Sequence, residues 1–213
     1  MSVLTPTNLG LIALAYLLGS IPFGLILAKL FGGRDIRKSG SGNIGATNVA
    51  RVAGPAAGIA TLLLDAGKGA AAVWLGGRYS DHAATILMLA GIAALLGHCF
   101  SLWLKFKGGK GVATALGIFL MLAPVAALAD LVFFLAVVLM WRYVSLGSIS
   151  AAAAMPLLVY FFWAPGHAPP LVVTFGTLFT AALVVFKHEA NLQRLVEGTE
   201  PKLTFGKSRG GEA

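Results

Sequence analysis

The sequence is poor in charge. Of its 213 residues only 11% are Asp, Glu, Lys or Arg, against about a quarter in a soluble domain, while 58% are hydrophobic. That balance excludes an ordinary water-soluble domain, and no polar block is long enough to form one. Cysteine is nearly absent: Cys99 stands alone, which excludes an intramolecular disulfide. Acid is scarce too, with 8 acidic residues against 16 basic ones and a net charge of +8. In a soluble chain that surplus would suggest nucleic acid. Here the basic residues lie between apolar runs, so topology accounts for them and no nucleic-acid partner is expected.

What is present in quantity is apolar sequence in runs of membrane length. A spanning helix needs roughly 20 mostly apolar residues. Seven such runs are legible, at 8–31, 56–77, 83–99, 111–123, 125–142, 147–163 and 169–187. The boundary at Pro124 divides one stretch too long for a single crossing; five or six spans are the alternatives. The expected fold is an all-α integral membrane protein, residues 1–213 forming one polytopic domain. The first run has no basic segment before it and is too long for a cleavable signal peptide.

Lys and Arg concentrate in 32–55 (Arg34, Arg37, Lys38, Arg51), in 100–111 (Lys105, Lys107, Lys110), at Arg142 and in the 188–213 tail with neighbouring Lys187. With seven spans all of these fall on one side, expected to be cytoplasmic, and the N-terminus falls outside. The opposite loops carry little: Arg78 beside Asp81, and no Lys or Arg in "APGHAPP". The end of the tail, "GKSRGGEA", is expected to be disordered.

Each cytoplasmic segment carries an unusual pattern. In "RKSGSGNIGATNVARVAG", Gly40, Gly42 and Gly45 allow positive φ and close backbone approach. Successive N–H groups there can form an anion nest. Ser41, Asn43, Thr47 and Asn48 add neutral donors, and Arg51 offers a planar fork for phosphate. A flexible linker with helix caps is the competing reading, but linkers more often carry acid or proline. In "GHCFSLWLKFKGGKGVAT", Gly108 and Gly109 separate Lys107 from Lys110, where the following helix would point its positive end. This is not a Walker A loop: residue 104 is Leu and Lys110 is followed by Gly111, not Ser or Thr. A positive-inside loop with helix-breaking glycines explains it equally well. In "FKHEANLQRLVEGTEPK", His188 and Asn191 share a helix face, a pattern that a solvated tail helix also satisfies.

Inside the membrane, Asp65 and Lys68 stand three apart and can pair, Lys68 as a substrate-binding cation and Asp65 as a structural partner, although Lys68 also suits the cytoplasmic edge. Asp130 suits the outer interface. His98 sits where the third span leaves the bilayer, as a pocket residue or as a cap. One face thus collects Gly-rich backbone, Arg51, Lys107, Lys110, His98 and His188 with almost no acid. Such a face suits phosphate, and its membrane setting adds an apolar chain.

Those three patterns, together with "LLGSIPFG" in the first span and "DAGKG" in the second, resemble the bacterial acyl-phosphate-dependent glycerol-3-phosphate acyltransferases, the PlsY family, over residues 15–202. The resemblance implies a multi-pass enzyme of the bacterial inner membrane. It would move an acyl group from acyl phosphate to the sn-1 hydroxyl of glycerol 3-phosphate, with no cofactor, metal or required protein partner. It puts Ser41 and Arg51 among the residues needed for activity and His188 and Asn191 in the active site. Lys107, Gly108, Gly109 and Lys110 fall on the glycerol 3-phosphate motif, and Glu200 on a glutamate important for integrity. One position departs: Ser101 stands where the family has proline. His-x4-Asp is absent, since Leu87, Trp103, Val172 and Gln193 follow the four histidines at that spacing. No Ser-His-Asp arrangement or metal cluster is legible either.

The chemistry this implies is the meeting of two anions at one reactive carbonyl. Arg51, Ser41 and neighbouring donors would hold one phosphate and the "KGGK" loop the other. His188, oriented by Asn191, is the side-chain candidate for general base, and a substrate phosphate is the alternative proton acceptor. Transport of an organic phosphate is the competing function. It is weakened by the absence of an internal repeat and by the one-sided charge.

Overall fold

The protein is described by a computed structural model covering residues 5–33, 35–80, 84–163 and 167–203. Arg34, Asp81, part of "APGHAPP" and the tail from residue 204, with Lys207, Arg209 and the expected disorder of "GKSRGGEA", lie outside the described residues. Every described element is helical. The first apolar run forms α1 (Pro6–Ser20) and α2 (Phe23–Gly32). Thr5 caps α1, accepting from the Asn8 N–H at 3.2 Å, with Pro6 at the first helical position. The run breaks at Ile21–Pro22, because proline lacks the N–H and pushes its predecessor out of the helical region.

After α2 come α3 (Ala46–Ala53), α4 (Pro55–Tyr79) and α5 (Ala84–Cys99). Then follow α6 (Val112–Leu122), α7 (Pro124–Trp141) and α8 (Val144–Phe162), and finally α9 (Leu171–Phe186) and α10 (Glu189–Val196). Pro55 and Pro124 each open a helix, where a missing N–H costs nothing.

All seven apolar runs are therefore helical, but not all are long enough to cross. Five stretches are: Pro6–Gly32, Pro55–Tyr79, Ala84–Leu104, Pro124–Trp141 and Val144–Phe162. A sixth is reached if α9 and α10, bent by 56° at Lys187–His188, count as one. At 11 residues, α6 is only about 16 Å long, roughly half of a bilayer core. The expected seven crossings thus become five or six by length.

Where helices touch most closely, glycine makes it possible. A Cβ on Gly19 would lie 2.1 Å from the Ala94 carbonyl oxygen, and one on Gly117 only 1.8 Å from that of Ala66. These contacts join α1 to α5 and α4 to α6, with backbones approaching as small residues permit in membranes. The Ile21–Pro22 break is tied across the bundle. The Ser101 hydroxyl donates to the Ser20 carbonyl at 2.6 Å, and Lys68 Nζ to the Ile21 carbonyl at 2.9 Å. At the same end the Leu203 N–H donates to the Arg142 carbonyl at 2.6 Å, fixing the tail to the α7–α8 turn.

Candidate active site

The segment before α3 is an ordered cradle, not a linker. Gly40 and Gly42 adopt φ of +60° and +70°, and Asn48 ties the resulting turns together. Buried to 2%, Asn48 accepts the Ser41 N–H at 2.9 Å and donates to the Ser39 and Asn43 carbonyls at 3.0 and 2.8 Å. Asn43 accepts the Gly45 N–H at 2.9 Å, an Asx turn at the start of α3. The amide groups of Asn43 and Asn48 are thus engaged in shaping the loop. Ser41, Thr47 and Arg51 line the cavity beside them, Thr47 and Arg51 one turn apart on α3.

In the second loop the Gly108 and Gly109 N–H groups donate back to the Cys99 and His98 carbonyls at 3.1 and 3.0 Å. They are therefore not free to cradle an anion. Gly109 is needed for fit: a Cβ there would stand 2.2 Å from Nε2 of His98. Gly111, at φ +84°, caps α6 and leaves Lys110 facing inward. Lys107 is exposed, and Lys107, Gly108 and Gly109 stand outside the cavity lining.

The third segment closes the cavity. His188 Nδ1 lies 2.7 Å from the Val184 carbonyl; a carbonyl only accepts, so Nδ1 carries the proton and Nε2 is left as acceptor. Lys110 Nζ donates to Asn191 Oδ1. Asn191 Nδ2 donates to Glu200 Oε1 at 2.6 Å, and Arg194 Nε to Glu200 Oε2 at 2.7 Å. Burial pushes the His188 imidazole down to about 4, with the Val184 carbonyl opposing and Lys110 adding to the shift. Burial likewise pushes Lys110 down to about 8; Glu200 opposes this, while Arg194, Arg51 and Lys187 reinforce it. Burial works against ionisation of Glu200 too, yet the groups around it, Ser145, Asn191 and Arg194, hold it below the usual carboxylate range.

Under these loops lies a buried polar floor. Asp65 Oδ1 is 2.8 Å from Lys68 Nζ and 3.6 Å from His98 Nδ1. Asp65 and His98 line the cavity; Lys68 does not, its ammonium being held between Asp65 and the Ile21 carbonyl. The cavity has a volume of about 660 Å³. Beside it lies a second space of about 220 Å³ between α4, α6, α7, α8 and α9, and the two share the wall formed by Leu62, Val112, Ala113, Phe134 and Ser148. Apart from Asp130, Ser148 and Thr180, that second space is apolar, and exposed Leu62 and Leu135 open it towards the lipid. Sequence reading missed Ser145 and Ser148 as lining residues and gave Arg194 no site role. The two serines lie three apart, with Ser150 close by, near the start of a mostly apolar helix, which is a legible signal.

A helical membrane protein with a basic, hydrogen-bonding pocket beside a lipid-facing apolar groove fits the class of integral-membrane lipid enzymes. The comparisons give that class its family. A family model described as Glycerol-3-phosphate acyltransferase matches residues 9–198. The glycerol-3-phosphate acyltransferase of Syntrophotalea carbinolica is 53% identical over 186 residues, covering 87% of this chain and 92% of the relative. That of Geobacter sulfurreducens is 52% identical over 190 residues, 89% and 94% of the two chains. The crystal structure of PlsY, an integral membrane glycerol 3-phosphate acyltransferase, in its glycerol 3-phosphate form superposes with a TM-score of 0.86 at 39% identity, covering 92% of this chain and 96% of that one. The chain belongs to the glycerol-3-phosphate acyltransferase family, and it is an acyltransferase of the integral-membrane PlsY fold.

Proposed function

We propose that this acyltransferase moves a fatty acyl group from acyl phosphate to the sn-1 hydroxyl of glycerol 3-phosphate, releasing lysophosphatidic acid and inorganic phosphate. The observation that carries this reading is that the basic pocket and the apolar groove lie side by side and share Leu62, Val112, Ala113, Phe134 and Ser148. An acyl phosphate laid across that seam has its chain in the groove and its phosphate among Arg51, Lys110 and the hydroxyls of Ser41 and Thr47. Support also comes from the PlsY structures in glycerol 3-phosphate and lysophosphatidic acid forms, the latter with a TM-score of 0.82. The pocket end is read as the cytoplasmic face of a bacterial inner membrane, since the basic loops converge there. The chain then forms one polytopic domain with its N-terminus outside.

Acyl phosphate is a mixed anhydride with a good leaving group, so direct attack by the hydroxyl needs no acyl-enzyme. The C–O bond to the acceptor forms, the bond to phosphate breaks, and the hydroxyl proton leaves with phosphate. The protein holds two anions together against their repulsion and aligns the hydroxyl on the carbonyl. His188 is neutral at pH 7 and Nε2 can accept from the hydroxyl, but a base near 4 is a poor final home for the proton. The phosphate of the acyl donor, which becomes a much stronger base as its bond to the acyl carbon breaks and departs as hydrogen phosphate, is the better acceptor. His188 therefore orients the hydroxyl, and Asn191 fixes Lys110 rather than His188.

The test uses purified protein in detergent or a lipid mesophase with acyl phosphate and glycerol 3-phosphate. Phosphate release requiring both substrates, with lysophosphatidic acid formed in equal amount, is the expected result. Vesicle uptake of glycerol 3-phosphate without phosphate release would replace this reading with transport.

A further inference from the structure

Two carboxylates line the basic pocket, Asp65 and Glu200, and their situations differ. Both oxygens of Glu200 are engaged, by Asn191 and Arg194. At Asp65, Lys68 pairs with Oδ1 at 2.8 Å, His98 Nδ1 stands 3.6 Å from the same oxygen, too far for a hydrogen bond, and among the described residues no group hydrogen-bonds Oδ2. The side chain is only 3% exposed and is held firmly, because Lys68 also donates to the Ile21 carbonyl. It stands three residues along α4 from Leu62, at the seam between pocket and groove where an acyl carbonyl would meet its acceptor.

A carboxylate repels phosphate, so Asp65 faces an uncharged part of the substrate that donates a hydrogen bond. We infer that Asp65 Oδ2 accepts from the secondary hydroxyl of glycerol 3-phosphate and thereby selects an alcohol over a ketone at that carbon. This rests on the reading that the pocket binds glycerol 3-phosphate. With the secondary hydroxyl held, the neighbouring primary hydroxyl is presented towards the seam and the phosphate towards Arg51 and Lys110. A ketone at the same carbon offers only lone pairs to an ionised acceptor. A site built to bond a hydroxyl discriminates strongly against the analogue lacking it, because its own polar group is then left unpaired.

The experiment measures kcat/KM for three acceptors with one acyl phosphate: glycerol 3-phosphate, dihydroxyacetone phosphate, and the monophosphate of propane-1,3-diol, which lacks the secondary hydroxyl. The wild type is expected to favour glycerol 3-phosphate over each of the others by roughly tenfold or more. Equal efficiency with the deoxy acceptor overturns the inference without any variant. In Asp65→Asn/Lys68→Gln the buried charges leave together and the donor to Ile21 is kept. Its preference for the alcohol over the ketone should fall by about tenfold, mostly through glycerol 3-phosphate. A proportional fall with both acceptors would make Asp65 a structural support only and overturn the inference. Turnover with none of the acceptors in the wild type would overturn the acyltransfer reading as well.

Discussion

Lys110 and Glu200 lie on different segments, yet they are joined through one amide: Asn191 accepts from Lys110 and donates to Glu200 at 2.6 Å. Glu200 is thus the far anchor of a chain ending in a cation that faces the pocket. Glu200→Ala strands Asn191 Nδ2 and Arg194 Nε. The expected cost is about 1 kcal/mol, the low end for unmet groups, because Arg194 is about a third exposed. Glu200→Gln keeps one acceptor and should cost less. Thermal unfolding in detergent checks the order; equal melting temperatures for wild type and Glu200→Ala would refute it.

Arg51 is exposed at the pocket lip, and no described side chain competes for it. Its planar fork is therefore free to take two phosphate oxygens. Arg51→Lys keeps the charge but gives up the fork, and kcat/KM should fall roughly tenfold to a hundredfold at unchanged melting temperature. Activity within twofold of wild type would argue against bidentate binding.

The pH profile separates the two proton acceptors. If His188 took the proton, the acid limb of kcat would fall near its pKa of about 4. If the departing phosphate takes it, the acid limb is not set by His188 and persists in His188→Gln at reduced kcat. On the basic side, Lys110 loses its charge as pH rises through about 8. Phosphate affinity should weaken there, seen as a rising KM. A basic limb unchanged in Lys110→Met would dissociate that rise from Lys110.

Much of this was legible in the sequence because membrane solvent makes apolar length and basic loops informative. The helical runs and the gathering of the basic segments could be expected from apolar length and charge, and Arg51 from its chemistry. His188 and Asn191 as cavity residues were implied by the resemblance, their spacing suiting a solvated tail helix as well. Other features depended on tertiary contacts that spacing does not encode. Asn48 looks like a ligand donor in sequence but is the hub of its own loop. Lys68 looks like a substrate cation but binds the carbonyl freed by the Ile21–Pro22 break, 47 residues away. Gly108 and Gly109 suggest a phosphate nest, yet their N–H groups close on α5. The shortness of α6 is legible in its run, 111–123, but the run counts as a crossing because that count puts every basic cluster on one side.

The glycines divide into two kinds, which substitution can tell apart. At Gly109 a methyl would strike the buried His98 ring at 2.2 Å, and at Gly40 it would meet Asn48 Oδ1 at 2.1 Å with φ at +60°. Gly45 has φ −78° and nothing nearer than 3.5 Å. Gly109→Ala and Gly40→Ala should therefore each lower kcat/KM by roughly tenfold or more, the scale of a misplaced site, whereas Gly45→Ala should stay within about twofold. Loss at Gly45 comparable to that at Gly109 would mean that backbone approach to substrate, not internal fit, governs the first loop.

Ser101 stands where the resemblance leads one to expect proline, and the fold shows what each residue supplies. Its φ of −63° is the value to which proline is locked, so the turn before Leu102–Leu104 accepts either. Serine adds a bond that proline cannot make, to the Ser20 carbonyl at the end of α1. Ser101→Ala should cost about 1 kcal/mol by leaving that buried carbonyl unmet. Ser101→Pro loses the same bond but restricts the unfolded chain, recovering about 0.4–1 kcal/mol. The melting temperature of Ser101→Pro should therefore lie between those of Ser101→Ala and wild type, with KM for both substrates unchanged. A proline variant less stable than the alanine one would show that the Ser101 N–H or the geometry of Phe100 is needed, and that the departure has reshaped the turn.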